Sequence, residues 1–218
     1  MEAPHSPAAE TALRAARTTE PADTTESAPA TEAADTTETA ARPGTTLSVD
    51  SPERMQELGR ALAALLRPGD LVMLTGELGA GKTTLARGLG EGLGVRGAVT
   101  SPTFVIARVH PSLVGGPALV HVDAYRLGGG LDEMEDLDLD VSLPDSVVVV
   151  EWGDGKVEEL SDDRLRVVIH RVVGGADGET AEHRLTEHGE TEYDDRRTVT
   201  LTGFGSRWSA TDFGVLTR

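Results

Sequence analysis

Residues 76–83, which read Gly-Glu-Leu-Gly-Ala-Gly-Lys-Thr, match the glycine-rich loop that binds the phosphates of a nucleoside triphosphate. The glycines allow successive backbone N–H groups to turn inward around an anion, because no Cβ blocks the approach. Lys82 would reach the β- and γ-phosphates, and Thr83 would hold Mg²⁺ through its hydroxyl oxygen. The segment therefore predicts a triphosphate site and leaves the reaction open. Its residues are Gly76, Glu77, Leu78, Gly79, Ala80, Gly81, Lys82 and Thr83.

Two acidic residues follow apolar runs, at positions where a metal-binding carboxylate is needed. Asp123 comes after the run at 119–122, and Glu151 comes after the β-branched run at 147–150. Ligands bind at the carboxyl ends of parallel strands in open α/β sheets, so we expect both acids to face the triphosphate. For each of them, an acid that only caps the next helix is the alternative.

The segment 101–104, Ser-Pro-Thr-Phe, carries two hydroxyls and lies about twenty residues after the glycine-rich loop at 76–83, which we call the P-loop. Such a loop could order on a bound γ-phosphate and relax after hydrolysis, although an ordinary turn before a strand has the same composition. We interpret His121 as a packed strand histidine rather than a base. Arg126 could neutralise phosphate or pair with an acid, and Trp152 could stack on a nucleobase or close the core.

The elements that must position these residues follow from the apolar periodicity. Continuous apolar strands separated by helical segments predict an α/β, P-loop NTPase-like fold, with a mostly parallel sheet, helices on both faces and a small antiparallel C-terminal extension. Helices are expected from Pro52 to the stop at Pro68-Gly69 and from Thr84 to about Gly94. The predicted strands cover residues 46–49, 71–75, 103–110, 118–123, 147–150, 165–169 and 198–201.

Composition divides the chain into three parts. Residues 1–45 are almost entirely Ala, Thr, Glu and Pro, and we predict a disordered tail because they cannot bury enough apolar surface. Residues 46–203 are predicted to form the P-loop ATPase domain, with an inserted loop at 172–196. For residues 204–218 we expect a C-terminal tail, which either docks or is free. No secretory signal and no transmembrane helix is predicted.

The charge and cysteine content limit the possible functions. The formal net charge of −17 disfavours autonomous nucleic-acid binding, because phosphate contacts need clustered Lys and Arg. The chain has no cysteine, which excludes disulfides, a thiolate nucleophile and a Cys-ligated zinc site. The expected compartment is the cytoplasm.

Together these segments resemble the TsaE (YjeE) family of small bacterial ATPases required for threonylcarbamoyladenosine modification of tRNA. The P-loop with its second threonine, Ser-Pro-Thr-Phe, His-Val-Asp-Ala-Tyr-Arg at 121–126, an acidic helix around 131–139 and Val-Glu-Trp at 150–152 occur in the family's order. The resemblance covers roughly residues 47–170. It implies an ATPase that works with the TsaD and TsaB proteins, has no membrane partner and reaches tRNA only through that complex.

The resemblance also implies roles for the motif residues. The ATP phosphates would lie on the loop up to Thr84, and Trp152 would lie beside the nucleotide. Thr83 and Glu151 would be the Mg²⁺ ligands.

The catalytic set implied by the resemblance is Asp123, Glu151 and Thr103. Thr103 would be the switch residue, and Asp123 would orient water or the hydration shell of the metal.

Two other functions stay open at this level. A small-molecule kinase would use the same P-loop with a mobile Arg-bearing lid, for which Arg108 and Arg126 are the candidates. A non-catalytic switch would bind nucleotide and dock a partner without turnover. A GTPase is disfavoured, because no Asn-Lys-x-Asp segment is present.

Overall fold

A computed structural model of the chain describes residues 44–127, 137–172 and 196–217. Residues 1–43 of the predicted tail, residues 173–195 of the predicted insertion and most of the acidic helix expected around 131–139 lie outside these residues, so those expectations stay predictions there, and the tail prediction is one residue too long because β1 begins at Thr45. Within the described ranges, no helix has the length and apolar character needed to cross a membrane.

The strands of the described part are β1 (Thr45–Val49), β2 (Leu71–Gly76), β3 (Ala107–His110), β4 (Ala118–Asp123), β5 (Ser146–Glu151), β6 (Arg164–Arg171) and β7 (Arg197–Phe204). They form one sheet in the order β1-β7-β6-β2-β5-β4-β3. The four central strands, β6, β2, β5 and β4, are parallel to one another. The pairs β1–β7, β6–β7 and β3–β4 are antiparallel. The predicted α/β fold, with its antiparallel C-terminal extension, is confirmed.

Both faces of this sheet are covered. The helices α1 (Pro52–Ala63) and α2 (Lys82–Gly92) pack on one face, and the short helix α3 (Leu139–Ser142) packs with loops on the other. All six residues of β5 are buried, which explains why this strand is apolar at nearly every position instead of alternating. Because β2, β5 and β4 are parallel neighbours, their carboxyl ends lie side by side at one end of the sheet.

The helices α1 and α2 approach each other very closely through glycine. A Cβ on Gly59 would collide with the Leu85 carbonyl oxygen, and a Cβ on Gly88 would collide with the Gln56 carbonyl oxygen. At the start of α1 the Ser51 hydroxyl accepts a hydrogen bond from the Arg54 backbone N–H at 3.2 Å, so Ser51 is the N-cap of this helix. The close approach at Gly59 and Gly88 fixes α1 against α2, the helix that begins at the P-loop.

The strand predicted at 103–110 is wrong in its first half, because β3 begins only at Ala107. The Pro102 carbonyl oxygen accepts hydrogen bonds from the backbone N–H groups of Val105 and Ile106, at 2.8 and 2.7 Å, and these bonds close a turn. Ile106 has a φ of 66°, which is unusual for a β-branched residue. The turn keeps Thr103 out of the sheet and close to the edge where the strands end.

The C-terminal segment that follows β7 packs against the core. Trp208 is fully buried and its ring stacks on Phe213, with ring centroids 5.9 Å apart. Arg207 forms an ion pair with Asp70, from its Nε to Oδ1 at 2.8 Å and from its Nη2 to Oδ2 at 2.9 Å. The sequence left open whether this segment docks or is free, and its described residues dock against the core.

Candidate nucleotide site

The P-loop connects β2 to α2 and turns on glycine. Gly81 directly precedes α2, with φ 112° and ψ 14°, a conformation that residues with a side chain rarely adopt. Within the loop the Ala80 backbone N–H donates to the Glu77 carbonyl oxygen at 3.1 Å. The first turn of α2 thus opens toward the cleft above the loop, where unpaired helix N–H groups favour an anion.

Lys82 is buried beneath this cleft. Its Nζ donates to the carbonyl oxygens of Gly76 at 2.8 Å and Glu77 at 2.9 Å, and it lies 3.7 Å from the centroid of the Trp152 ring. Burial lowers the pKa of the Lys82 ammonium below its ordinary value of 10.5, and the negative charges of Glu151 and Asp123 oppose that shift. The carbonyl oxygens hold the amine where phosphate oxygens could replace them.

The acids at the strand ends lie next to each other. Asp123 ends β4 and Glu151 ends β5, and the two residues are direct partners in the parallel register. Side chains of paired residues project from the same face of a sheet, so both carboxylates face the P-loop side. Both are almost completely buried, at 4% and 2% relative exposure.

Glu151 forms hydrogen bonds with two side chains from other parts of the chain, Thr83 and His121. The Thr83 hydroxyl donates to its Oε1 at 2.9 Å and to its Oε2 at 3.1 Å. His121, which is fully buried, lies with Nε2 2.9 Å from Oε1. Since a carboxylate only accepts, this bond requires the proton on Nε2 when the imidazole is neutral. His121 Nδ1 has no hydrogen-bond partner in the described part of the chain.

Asp123 contacts the turn that carries Thr103. Its Oδ2 accepts from Thr103 Oγ1 at 2.5 Å and from Ser101 Oγ at 3.1 Å. Its Oδ1 accepts from the Tyr125 backbone N–H at 3.1 Å, which caps the short 3₁₀ turn Ala124–Arg126. Both hydroxyls singled out from the sequence therefore meet the same carboxylate, which also serves as the cap that the alternative interpretation proposed.

These groups enclose a cleft of about 370 Å³. Gly76, Glu77 and Ala80 of the predicted set do not line it, although the first two hold Lys82 through their carbonyls. The lining consists of Leu78, Gly79, Gly81, Lys82, Thr83, Thr84, Ser101, Thr103, Asp123, Tyr125, Glu151 and Trp152. A second cavity of about 360 Å³ lies between β1 and α1, away from both acids.

The oxygen atoms in this cleft suit Mg²⁺. The Thr83 hydroxyl and the Glu151 carboxylate are hard oxygen ligands already in contact, and Mg²⁺ typically takes one or two such ligands and completes its shell with water and phosphate. The described residues contain no group of three or more His, Cys, Asp or Glu side chains placed to bind a metal ion. The donor set fits a cation that binds together with a phosphate.

Aromatic and apolar side chains form the rim of the cleft. Trp152 has a φ of 62°, and its ring contacts the Tyr125 ring with centroids 5.3 Å apart. The Arg126 guanidinium lies 4.8 Å from the centroid of Phe104. Of the lining residues, Leu78 is 90% and Tyr125 is 65% exposed, and Phe104, which follows Thr103 in the turn, is 86% exposed.

Two contacts at this site were missed by the sequence analysis. His121 binds Glu151, and the i, i+2 spacing from His121 to Asp123 on one strand face was the signal that could have suggested it. Lys156, the second of the two lysines of the chain, donates to the carbonyl oxygens of Ala124 at 2.6 Å and Leu127 at 2.9 Å. No local pattern around Lys156 indicates this contact.

Comparison with known proteins matches the same part of the chain. The family model described as "Threonylcarbamoyl adenosine biosynthesis protein TsaE" matches residues 49–175. The protein named "tRNA threonylcarbamoyladenosine biosynthesis protein TsaE" from Streptomyces coelicolor is 71% identical over 162 residues, which are 74% of this chain and 99% of that protein. The protein of the same name from Bacillus subtilis is 36% identical over 159 residues, 72% of this chain and 85% of that protein. The crystal structure of Bacillus subtilis YdiB has a TM-score of 0.54 and 30% identity, covering 80% of this chain and 91% of that one.

Proposed function

The chain belongs to the TsaE family of threonylcarbamoyladenosine biosynthesis proteins, and from that premise we propose that it binds and hydrolyses ATP with Mg²⁺ in support of this tRNA modification. One observation carries the proposal. The P-loop, the pair Thr83–Glu151 and the pair Thr103–Asp123 converge on one cleft, although they come from separate parts of the chain. A phosphate site, a metal site and a hydroxyl-bearing loop are the parts that phosphoryl transfer requires.

Each part of the cleft has a separate task in this proposal. The backbone of residues 79–84 and the Lys82 ammonium bind the phosphate oxygens, and Trp152 lies beside the nucleotide. Thr83 and Glu151 would hold Mg²⁺, which when bound would supply positive charge to the phosphate oxygens. These contacts would hold the triphosphate in the cleft that Thr103 also lines.

Asp123 and Thr103 form the part of the cleft that responds to the γ-phosphate. The short bond between them leaves the Thr103 hydroxyl engaged with a carboxylate. A γ-phosphate oxygen would compete for that hydroxyl, and Asp123 would then be free to accept a hydrogen bond from the attacking water or from the metal's hydration shell. Exchange of this one bond couples the turn at 101–106 to the state of the nucleotide.

We propose TsaD and TsaB as partners that reach this cleft from its rim. Leu78 and Tyr125 line the cleft with largely exposed side chains, and the exposed Phe104 follows Thr103 in the turn, so a bound partner could contact the same turn that would respond to the γ-phosphate. The net charge of −17 supports contact with tRNA through these partners rather than directly. The proposed place of action is the cytoplasm.

The decisive experiment measures ATP hydrolysis by the protein alone, with TsaB and TsaD, and with tRNA added, each with a Glu151→Ala control. The proposal predicts turnover that rises with the partners and is lost in Glu151→Ala. Hydrolysis that ignores the partners and rises with a small metabolite would instead identify a kinase. Nucleotide binding without turnover in the complete mixture would identify a non-catalytic switch.

A further inference from the structure

We propose that Arg197 is a positioning residue of the nucleotide site, which fixes the orientation of the peptide bond between Ala80 and Gly81. Arg197 is the first residue of β7, more than a hundred residues after the P-loop, and its Nε donates to the Ala80 carbonyl oxygen at 2.9 Å. Both residues are buried, at 8% and 1% relative exposure. The inference rests on the proposed function, since it concerns how the same loop presents itself to phosphate.

The direction of the Gly81 N–H follows from the direction of the Ala80 carbonyl, because both belong to one planar peptide unit. A peptide unit is planar and trans, so its C=O and N–H groups point in opposite directions. The Ala80 carbonyl points toward Arg197 on the buried side of the loop, and Ala80 does not line the cleft, whereas Gly81 does. The Gly81 N–H must therefore point toward the cleft, where it can donate to a phosphate oxygen.

This peptide needs an external restraint because glycine flanks it. Gly81 has a φ of 112°, and glycine occupies positive and negative φ with similar ease, so the peptide plane can rotate at low cost. A rotated plane would present a carbonyl oxygen to the phosphates and repel them. A charge-assisted hydrogen bond from a buried guanidinium favours one orientation over the other.

The position of Arg197 explains how a residue so distant in sequence reaches the loop. In the sheet β7 lies between β1 and β6, and Arg197 pairs with Val49 on one side and Arg171 on the other. Gly76 at the start of the loop pairs with Ile169 of β6, so the β6–β7 end of the sheet lies directly beneath the P-loop. Arg197 thus connects the antiparallel extension to the phosphate site.

The test compares ADP affinity by titration calorimetry in the wild type, Arg197→Met and Arg197→Lys. We expect roughly tenfold weaker binding in Arg197→Met and a smaller loss in Arg197→Lys, because lysine retains one charged donor. Arg207→Met is the matched control, since it removes another largely buried arginine, which pairs with Asp70 at the opposite end of β2. Unchanged ADP affinity in Arg197→Met, or an equal loss in Arg207→Met, would overturn the inference.

A second measurement follows the Gly81 amide resonance by NMR in the nucleotide-free protein. Arg197→Lys should leave this resonance near its wild-type position, and Arg197→Met or Arg197→Gln should shift it or split it into two peptide orientations. A Gly81 resonance that is the same in all of these proteins would contradict the inference. If the folded wild type binds neither ADP nor a non-hydrolysable ATP analogue, the proposed function fails, and the Gly81 resonance still decides the role of Arg197.

Discussion

The Thr83 hydroxyl hydrogen points at the Glu151 carboxylate, with Oγ1 2.9 and 3.1 Å from its two oxygens, although 68 residues separate them in the sequence. A hydroxyl has one hydrogen to donate and two lone pairs. Thr83 can therefore keep this bond and still offer a lone pair to a cation. In the proposed function, this contact already holds the two candidate Mg²⁺ ligands side by side.

Replacing Thr83 by valine should raise the Mg²⁺ requirement of hydrolysis. Valine has nearly the same shape but lacks the hydroxyl, so we expect the Mg²⁺ concentration for half-maximal turnover to rise about tenfold or more. Thr83→Ser, which keeps the hydroxyl, should stay close to wild type. A Mg²⁺ titration of turnover at fixed ATP measures both variants. If Thr83→Val and Thr83→Ser reach half-maximal turnover at the same Mg²⁺ concentration, the Thr83 hydroxyl is not a metal ligand.

Replacing Lys82 by alanine should abolish ATP-dependent function. The variant loses the only ammonium group in the lining of the cleft and also leaves the Gly76 and Glu77 carbonyls without their donor. We expect ADP affinity to fall by about a hundredfold, since a charge-assisted contact to phosphate is lost. Calorimetry with ADP gives the answer, and unchanged affinity and turnover would refute the assigned phosphate site.

Asp123→Asn should separate binding from turnover. Asparagine keeps the size of the side chain but removes the negative charge that would orient water, so we expect turnover to fall about a hundredfold while affinity for a non-hydrolysable ATP analogue stays within about threefold. Thr103→Val should reproduce part of this loss, and Ser101→Ala less, because Ser101 is the more distant donor. An equal loss of affinity and turnover would make Asp123 a structural residue.

His121→Phe tests whether the buried histidine positions Glu151. Phenylalanine fills the space but leaves Glu151 Oε1 without its 2.9 Å contact to Nε2, so the carboxylate gains freedom to rotate. We expect the Mg²⁺ requirement to rise several-fold with little change in ADP affinity measured without metal. His121→Gln, which retains a donor, should recover part of the metal affinity. Identical Mg²⁺ titrations in all three proteins would leave His121 with a packing role alone.

The P-loop and both acids could be predicted from the sequence because each is a local pattern. Glu151 follows an uninterrupted apolar run and Asp123 follows a run broken only by His121, and both runs become buried central strands, β5 and β4. Residues 103–106 alternate like a strand in the sequence, but Val105 and Ile106 donate hydrogen bonds to the Pro102 carbonyl and form a turn, which composition does not reveal.

Contacts that depend on the order of strands could not be read from the sequence. Arg197 reaches Ala80 across 117 positions, and His121 reaches Glu151 across 30. Both contacts require knowing which strands are neighbours, and β7 enters the sheet antiparallel between β1 and β6. Local spacing can place His121 on the same strand face as Asp123, but the partners of His121 and Arg197 follow only from the strand order of the folded chain.

Arg207→Met should destabilise the fold without altering the nucleotide site. Asp70 is 2% exposed and accepts both Arg207 bonds, so the variant leaves a buried carboxylate without its cation. Breaking a buried ion pair in this way costs about 3 kcal/mol, because the desolvation of the remaining charge is no longer offset. Arg60→Met is the matched control, since its ion pair with Glu91 is 43% and 44% exposed and is expected to contribute less than about 1 kcal/mol. Urea unfolding followed by circular dichroism measures both, and a loss below about 1 kcal/mol in Arg207→Met would show that water or another donor satisfies Asp70.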